Sequence, residues 1–135
     1  MYSIYGYFED VQIEKTIQTM HREIHKLLLY KDKRIDDEIF SSKSEFERYF
    51  RNLLYRYSGF NILFGKPAEM IFFICSLQAA YDECRKFDFK YAEFRRLILD
   101  AHGYLEMMSE VVKNAEYGCL QKADVNVGHD YRTSP

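Results

Sequence analysis

From Glu9 to Lys31 the apolar residues Ile13, Ile17, Met20, Ile24, Leu27 and Leu28 recur at steps of four, three, four, three and one. That is the period of an amphipathic helix with one buried stripe. Glu9 and Asp10 fall in its first turn and Lys26 and Lys31 near its end, as the helix dipole favours. A second stripe, Phe46, Tyr49, Phe50, Leu53, Leu54 and Tyr57, predicts a helix from about Lys43 to Tyr57, capped by Ser42 or Ser44 and stopped by Gly59. Between the two, KDKRIDDEIFSSKS is charged, with isolated Ile35, Ile39 and Phe40, and reads as a connector with at most a short helical turn.

The segment GFNILFGKP, bracketed by Gly59 and Gly65, is expected to be a tight, partly buried connection with room for one short extended piece, delivering Pro67 to the first turn of a third helix. That helix, PAEMIFFICSLQAAYDECRKF, is apolar on nearly every face over Met70 to Ile74, which predicts a central position or an interface on its outer side. A fourth helix opens near Phe89, carries Phe94, Leu97, Ile98, Ala101, Leu105, Met108, Val112 and Ala115 on one stripe, and reaches Tyr117 before Gly118. The remainder, KADVNVGHDYRTSP, has no periodicity.

Four helices joined by mostly short connections, with no convincing strand, predict an all-α fold, an antiparallel bundle of about four helices. The expected organisation is one domain over residues 1–118 and a flexible, partly disordered C-terminal tail over 119–135. The N-terminal YSIYGYF is placed across one end of the bundle, as a strand or irregularly.

Composition sharpens this picture in three ways. A chain of 135 residues with 47% hydrophobic content suffices for one core. Its net charge of −2, with basic and acidic residues interspersed, gives no strong field toward nucleic acid or acidic lipid. Three cysteines, Cys75, Cys84 and Cys119, match neither zinc-knuckle nor redox spacing and point to a reduced, cytoplasmic setting. No leader pattern opens the sequence and no window is apolar enough to span a membrane, so no membrane contact is expected. Twelve Tyr and eleven Phe are more rings than a core this size encloses, so some lie at a surface or interface.

Candidate chemistry begins with HREIH, residues 21–25, which resembles in spelling the zinc-hydrolase pattern H-E-x-x-H. In that pattern the glutamate follows the first histidine and activates the metal-bound water. Here Glu23 is displaced by one position and lies about 200° from His21 on a helical wheel, so it cannot serve as that base. On the same wheel His21 and His25 flank the stripe of the first helix on the side on which His102 and Glu106 flank the stripe of the fourth. Antiparallel neighbours would bring the four together as the one set able to hold a metal. Satisfied boundary histidines are the favoured reading, with no cofactor and no metal.

No P-loop, nucleophile elbow or dinucleotide fingerprint occurs, and no enzyme activity is expected. Cys75 and Cys84 read as small core residues. Arg48, Arg51 and Tyr55, with Arg56 at the flank, lie opposite the stripe of the second helix, where they could grip phosphates and stack on bases. Asp32, Asp36, Asp37 and Glu38 form an acidic run suited to a basic partner. The excess of outward apolar residues, with Phe72, Phe73 and Ala79 on the third helix and Leu29 and Leu99 elsewhere, points most strongly to a protein partner or self-association. The function expected is therefore that of a helical interaction protein, an assembly subunit or an inhibitor of a partner, of a kind that phages and mobile elements encode. Nucleic-acid binding through the second helix is the first alternative, and a metal-dependent bundle enzyme the second.

Overall fold

The computed structural model describes residues 9–30 and 40–127, and among them four helices and no strand: α1 (Asp10–Leu27), α2 (Lys43–Leu63), α3 (Ala68–Cys84) and α4 (Tyr91–Val127). The N-terminal YSIYGYF, the acidic run with Asp36 and Asp37, and residues 128–135 lie outside the described residues. No described helix is long and apolar enough to cross a membrane.

Each start has a local cause. Glu9 caps α1 through a capping box in which its backbone N–H donates to the Gln12 side chain at 2.9 Å. Ser42 caps α2 by accepting the Glu45 N–H at 3.1 Å. Pro67 is the N-cap of α3 rather than a residue of its first turn, with its carbonyl accepting from Met70 and Ile71.

The end of α2 corrects the sequence expectation. Gly59 does not stop it, and NIL is helix rather than connection, with Phe64 as the C-cap. Helical period carries Phe60 and Phe64 onto the core side one and two turns past Tyr57, and that burial outweighs the roughly 1 kcal/mol a helical glycine costs. The stop comes at Gly65 (φ 83°), followed by Lys66 (φ 56°). Their N–H groups donate to Ile62 and Asn61 carbonyls at 3.1 and 2.8 Å, the Schellman pairing that closes a helix. Gly118 likewise fails to end α4, whose backbone stays helical to Val127.

Cross-helix contacts fix the topology. Along α1 and α4, Glu14 meets Ser109, His21 meets His102 and Leu28 meets Tyr91. The numbers run in opposite senses, so the helices are antiparallel. Phe50 with Tyr81 and Tyr57 with Phe73 give the same sense for α2 and α3, as do Phe72 with Tyr104 and Ser76 with Leu97 for α3 and α4. Tyr30 stacked on Phe46 and Tyr49 bonded to Glu23 do so for α1 and α2. The result is a four-cornered antiparallel bundle in which each helix packs against two neighbours.

The predicted stripes form the core. Ile13, Ile17, Met20 and Ile24 face Ile98, Ala101, Leu105 and Met108, all essentially inaccessible. Many of the aromatic rings are absorbed at the two ends, Phe46, Phe50 and Phe94 edge to face at one and Tyr57, Phe73 and Phe64 at the other. Two expectations fail on α3. Phe73 is buried in this core and cannot anchor a partner, because it faces α2 rather than solvent. Cys75 is exposed while Cys84 is buried, since nine residues of separation turn the two to different faces.

Gly59 and Gly65 separate the two roles of glycine. A Cβ at Gly59 would meet nothing and its backbone is helical, so Gly59→Ala is expected to raise stability by about 0.5–1 kcal/mol. At Gly65, where φ is +83°, alanine should lower it by about 1 kcal/mol or more. Urea melts of both variants check the opposite signs, and destabilisation by Gly59→Ala would contradict the assigned end of α2.

Candidate functional site

The α1–α4 seam does bring the histidines together. His21 and His102 stack at 5.0 Å between ring centroids, with their Nδ1 atoms 2.8 Å apart. Glu106 approaches the far nitrogen of His21, Nε2, at 3.6 Å, and the His25 ring lies edge-on to His102 at 6.1 Å. The neighbour relation expected from the helical wheels is correct.

As placed, the donor atoms do not converge on one point. Only two ring nitrogens face each other, and Glu106 lies against the opposite edge of His21 rather than between the rings. Among the described residues no group of three or more His, Cys, Asp or Glu side chains is placed to hold a metal ion. The geometry instead fits a directed chain of neutral imidazoles. Protonation of His21 at Nε2, toward Glu106, leaves its Nδ1 as acceptor for the Nδ1–H of His102. His102 Nε2 then carries a lone pair, and it is buried with no hydrogen-bond partner among the described residues. Burial takes His102 down to about 4, helped by His21 and His25, and burial also lowers His21 against the pull of Glu106.

Glu23, which the wheel turned away from the histidines, serves the other seam. Its carboxylate accepts from the Tyr57 hydroxyl at 2.9 Å and pairs with Arg56, while its backbone carbonyl accepts from Tyr49 at 3.0 Å. Tyr57 is fully buried, and desolvation with the adjacent Glu23 charge pushes its hydroxyl far up, so it stays a donor. Arg56 is thereby withdrawn from any ligand-gripping set on α2. This network was not foreseen, because nothing local in the sequence pairs residues 23 and 57.

The remaining candidates lie on the surface. Arg48, Arg51 and Tyr55 are exposed, Tyr55 by 76%. On α3, Phe72, Cys75 and Ala79 are exposed along one side, and Phe72, 53% accessible, leans on the half-buried Tyr104 of α4 at 5.6 Å. Met107, one turn past Tyr104, is 49% exposed. Leu99 also faces solvent, whereas Leu29 is half-buried in the turn after α1. The hydroxyls that reach across helices are spoken for: Ser109 is buried against Glu14 at 3.1 Å and Ser76 donates to the Leu97 carbonyl at 2.8 Å.

Neither a scan against protein-family models nor searches of curated proteins and of solved structures find a match to this chain.

Two outcomes follow for the seams. His102 binds a proton in the unfolded chain below about pH 6.5 but not in the folded one until about pH 4, and burial shifts His21 in the same direction. Stability is therefore unaffected above the unfolded value, falls as pH drops through that window, and levels below it. Thermal melts between pH 7.5 and 4.5 should show this slope, and it should flatten in His21→Gln/His102→Gln; an unchanged slope would mean other groups cause it. Across α1–α2, Glu23→Ala leaves the buried Tyr57 hydroxyl without its acceptor and is expected to cost about 1–3 kcal/mol. In a double-mutant cycle with Tyr57→Phe the two losses should be clearly less than additive, and simple additivity would deny the coupling.

Proposed function

We propose that this chain is a cytoplasmic helical protein that acts by binding another protein rather than by catalysis. The observation that carries this reading is the outward face of α3 and α4, where Phe72 and Met107 flank Tyr104 beside the exposed Cys75 and Ala79. Large apolar side chains grouped beside an aromatic ring supply the anchors that dominate protein interfaces. The bundle satisfies its own core without them, so their exposure is not a by-product of an unfilled interior. A phage-encoded inhibitor and a subunit of a larger assembly are both forms this function can take.

The test is site-specific photo-crosslinking in the native host. A benzoylphenylalanine at position 72 should give a discrete protein adduct, with a second copy of this chain as one admissible partner. The same probe at Gln18, on the exposed face of α1, should not. Phe72→Asp should lower adduct formation from a probe at position 107 roughly tenfold, with thermal stability held within about 0.5 kcal/mol, as suits an exposed position. No adduct at 72, or equal adducts at 72 and 18, would refute the reading.

A further inference from the structure

On the opposite side of α3 from the Phe72 face, α2 and α3 enclose a groove of about 280 Å³. Leu54 and the ring of Tyr81 form its apolar bed, both largely buried, and Tyr55 stands at its rim. Arg51 comes to it from α2 and Arg85 from the cap of α3, and Glu47 and Gln78 complete the lining.

Two guanidiniums from different helices line this one groove. Arg56 is held by Glu23 and Arg96 by Glu93 and Asp100. Arg51 and Arg85 close no ion pair among the described residues. Glu47 stands one turn before Arg51, the spacing at which a helical pair normally forms, and the two charges nevertheless stay apart. Of the two acids just before Arg85 on α3, Asp82 is engaged by the Gln78 amide at 3.2 Å and Glu83 by Lys86 at 3.2 Å. Arg85 rests over the Tyr81 ring at 5.4 Å, which fixes its plane without neutralising it. Two guanidiniums without an ion pair among the described residues, one of them over a tyrosine ring, therefore line one small concavity.

We propose that this groove docks an acidic–apolar peptide segment of a protein partner, with a carboxylate held between Arg51 and Arg85 and the neighbouring apolar side chain laid on Leu54 and Tyr81. Guanidinium forks match a carboxylate in shape and charge. Glu47 and the Gln78 carbonyl offer acceptors for the N–H groups that every peptide carries. Glu47 also argues against a nucleic-acid strand, since a polyanion would meet its charge, and the chain is net negative. The inference rests on the reading that the chain binds a protein but uses a second surface, so the two fail separately.

The experiment is selection of a random dodecapeptide phage library on the full-length protein, followed by fluorescence anisotropy with the selected peptides. Enriched sequences should pair Asp or Glu with an adjacent large apolar residue. Their affinity should fall roughly tenfold or more in Arg51→Glu and in Arg85→Glu, and stay unchanged in Arg48→Glu, which lies outside the groove; circular dichroism confirms that each variant is folded. Amide shifts on titration should cluster over residues 47–55 and 78–85. No enrichment, a consensus lacking acidic residues, or binding that survives both charge reversals would overturn the proposal. So would tighter binding of oligouridylate that depends on the same two arginines, which would make the groove a nucleic-acid site. Loss of the position-72 adduct with the peptide result intact would remove the apolar face and leave the groove standing.

Discussion

The register of α1 against α4 is the constraint on which the other features hang. Three polar contacts, Glu14 with Ser109, His21 with His102 and Leu28 with Tyr91, spaced along the length of the α1–α4 seam, hold two long apolar stripes face to face. Sliding α4 by one turn would break all three at once and leave buried hydroxyl and imidazole groups unpaired, each at a cost of roughly 1–3 kcal/mol. Apolar stripes alone discriminate poorly between neighbouring registers, because Ile, Leu and Met interchange at little cost. The polar pairs supply the selectivity, and His21 with His102 sits midway among them.

The second seam repeats the device with a different residue. Glu23 gathers Tyr57, Arg56 and, through its backbone, Tyr49, so one residue of α1 sets the position of two turns of α2. This bears on function by subtraction. Once Arg56 is committed to Glu23, Arg48 and Arg51 remain on the basic face of α2, and of these Arg51 lines the α2–α3 groove with Arg85. The docking proposal uses the pair between two helices, where guanidinium forks match a single carboxylate, rather than a row along one helix.

Periodicity made most of this fold legible. The buried residues of α1, α2 and α4 are those of the predicted stripes, and the helical wheels placed His21, His25, His102 and Glu106 at one seam. What periodicity could not give was the direction of the ring nitrogens. Sequence spacing locates a Cβ, whereas a metal site needs lone pairs to converge, and Glu106 sits one ring-width from where it would have to be. The end of α2 was missed because Gly59 was weighed as a helix stop, although only Gly65 has the positive φ that makes glycine necessary. Phe73 was misplaced because α3 is apolar almost all round, and such a helix has no moment to say which side is in. Arg85 was overlooked for a third reason: its partnership with Arg51 exists only between helices.

These failures share a cause that also explains the molecule's surface. A helix packed in a bundle has its inward side fixed by its neighbours, so an apolar residue beyond that quota is either an accident of composition or a second interface. On α3 the quota is filled by Met70, Phe73, Leu77, Ala80 and Cys84, and Phe72 and Ile71 are surplus. A solvent-facing α3 with polar residues there would fold equally well, since neither side chain fills space inside the bundle. Their exposure is therefore not dictated by the packing of the bundle, and of the two Phe72 leans on Tyr104. α3 is thus held between α2 and α4, with Phe72 exposed toward α4 and Arg85 lining the groove toward α2.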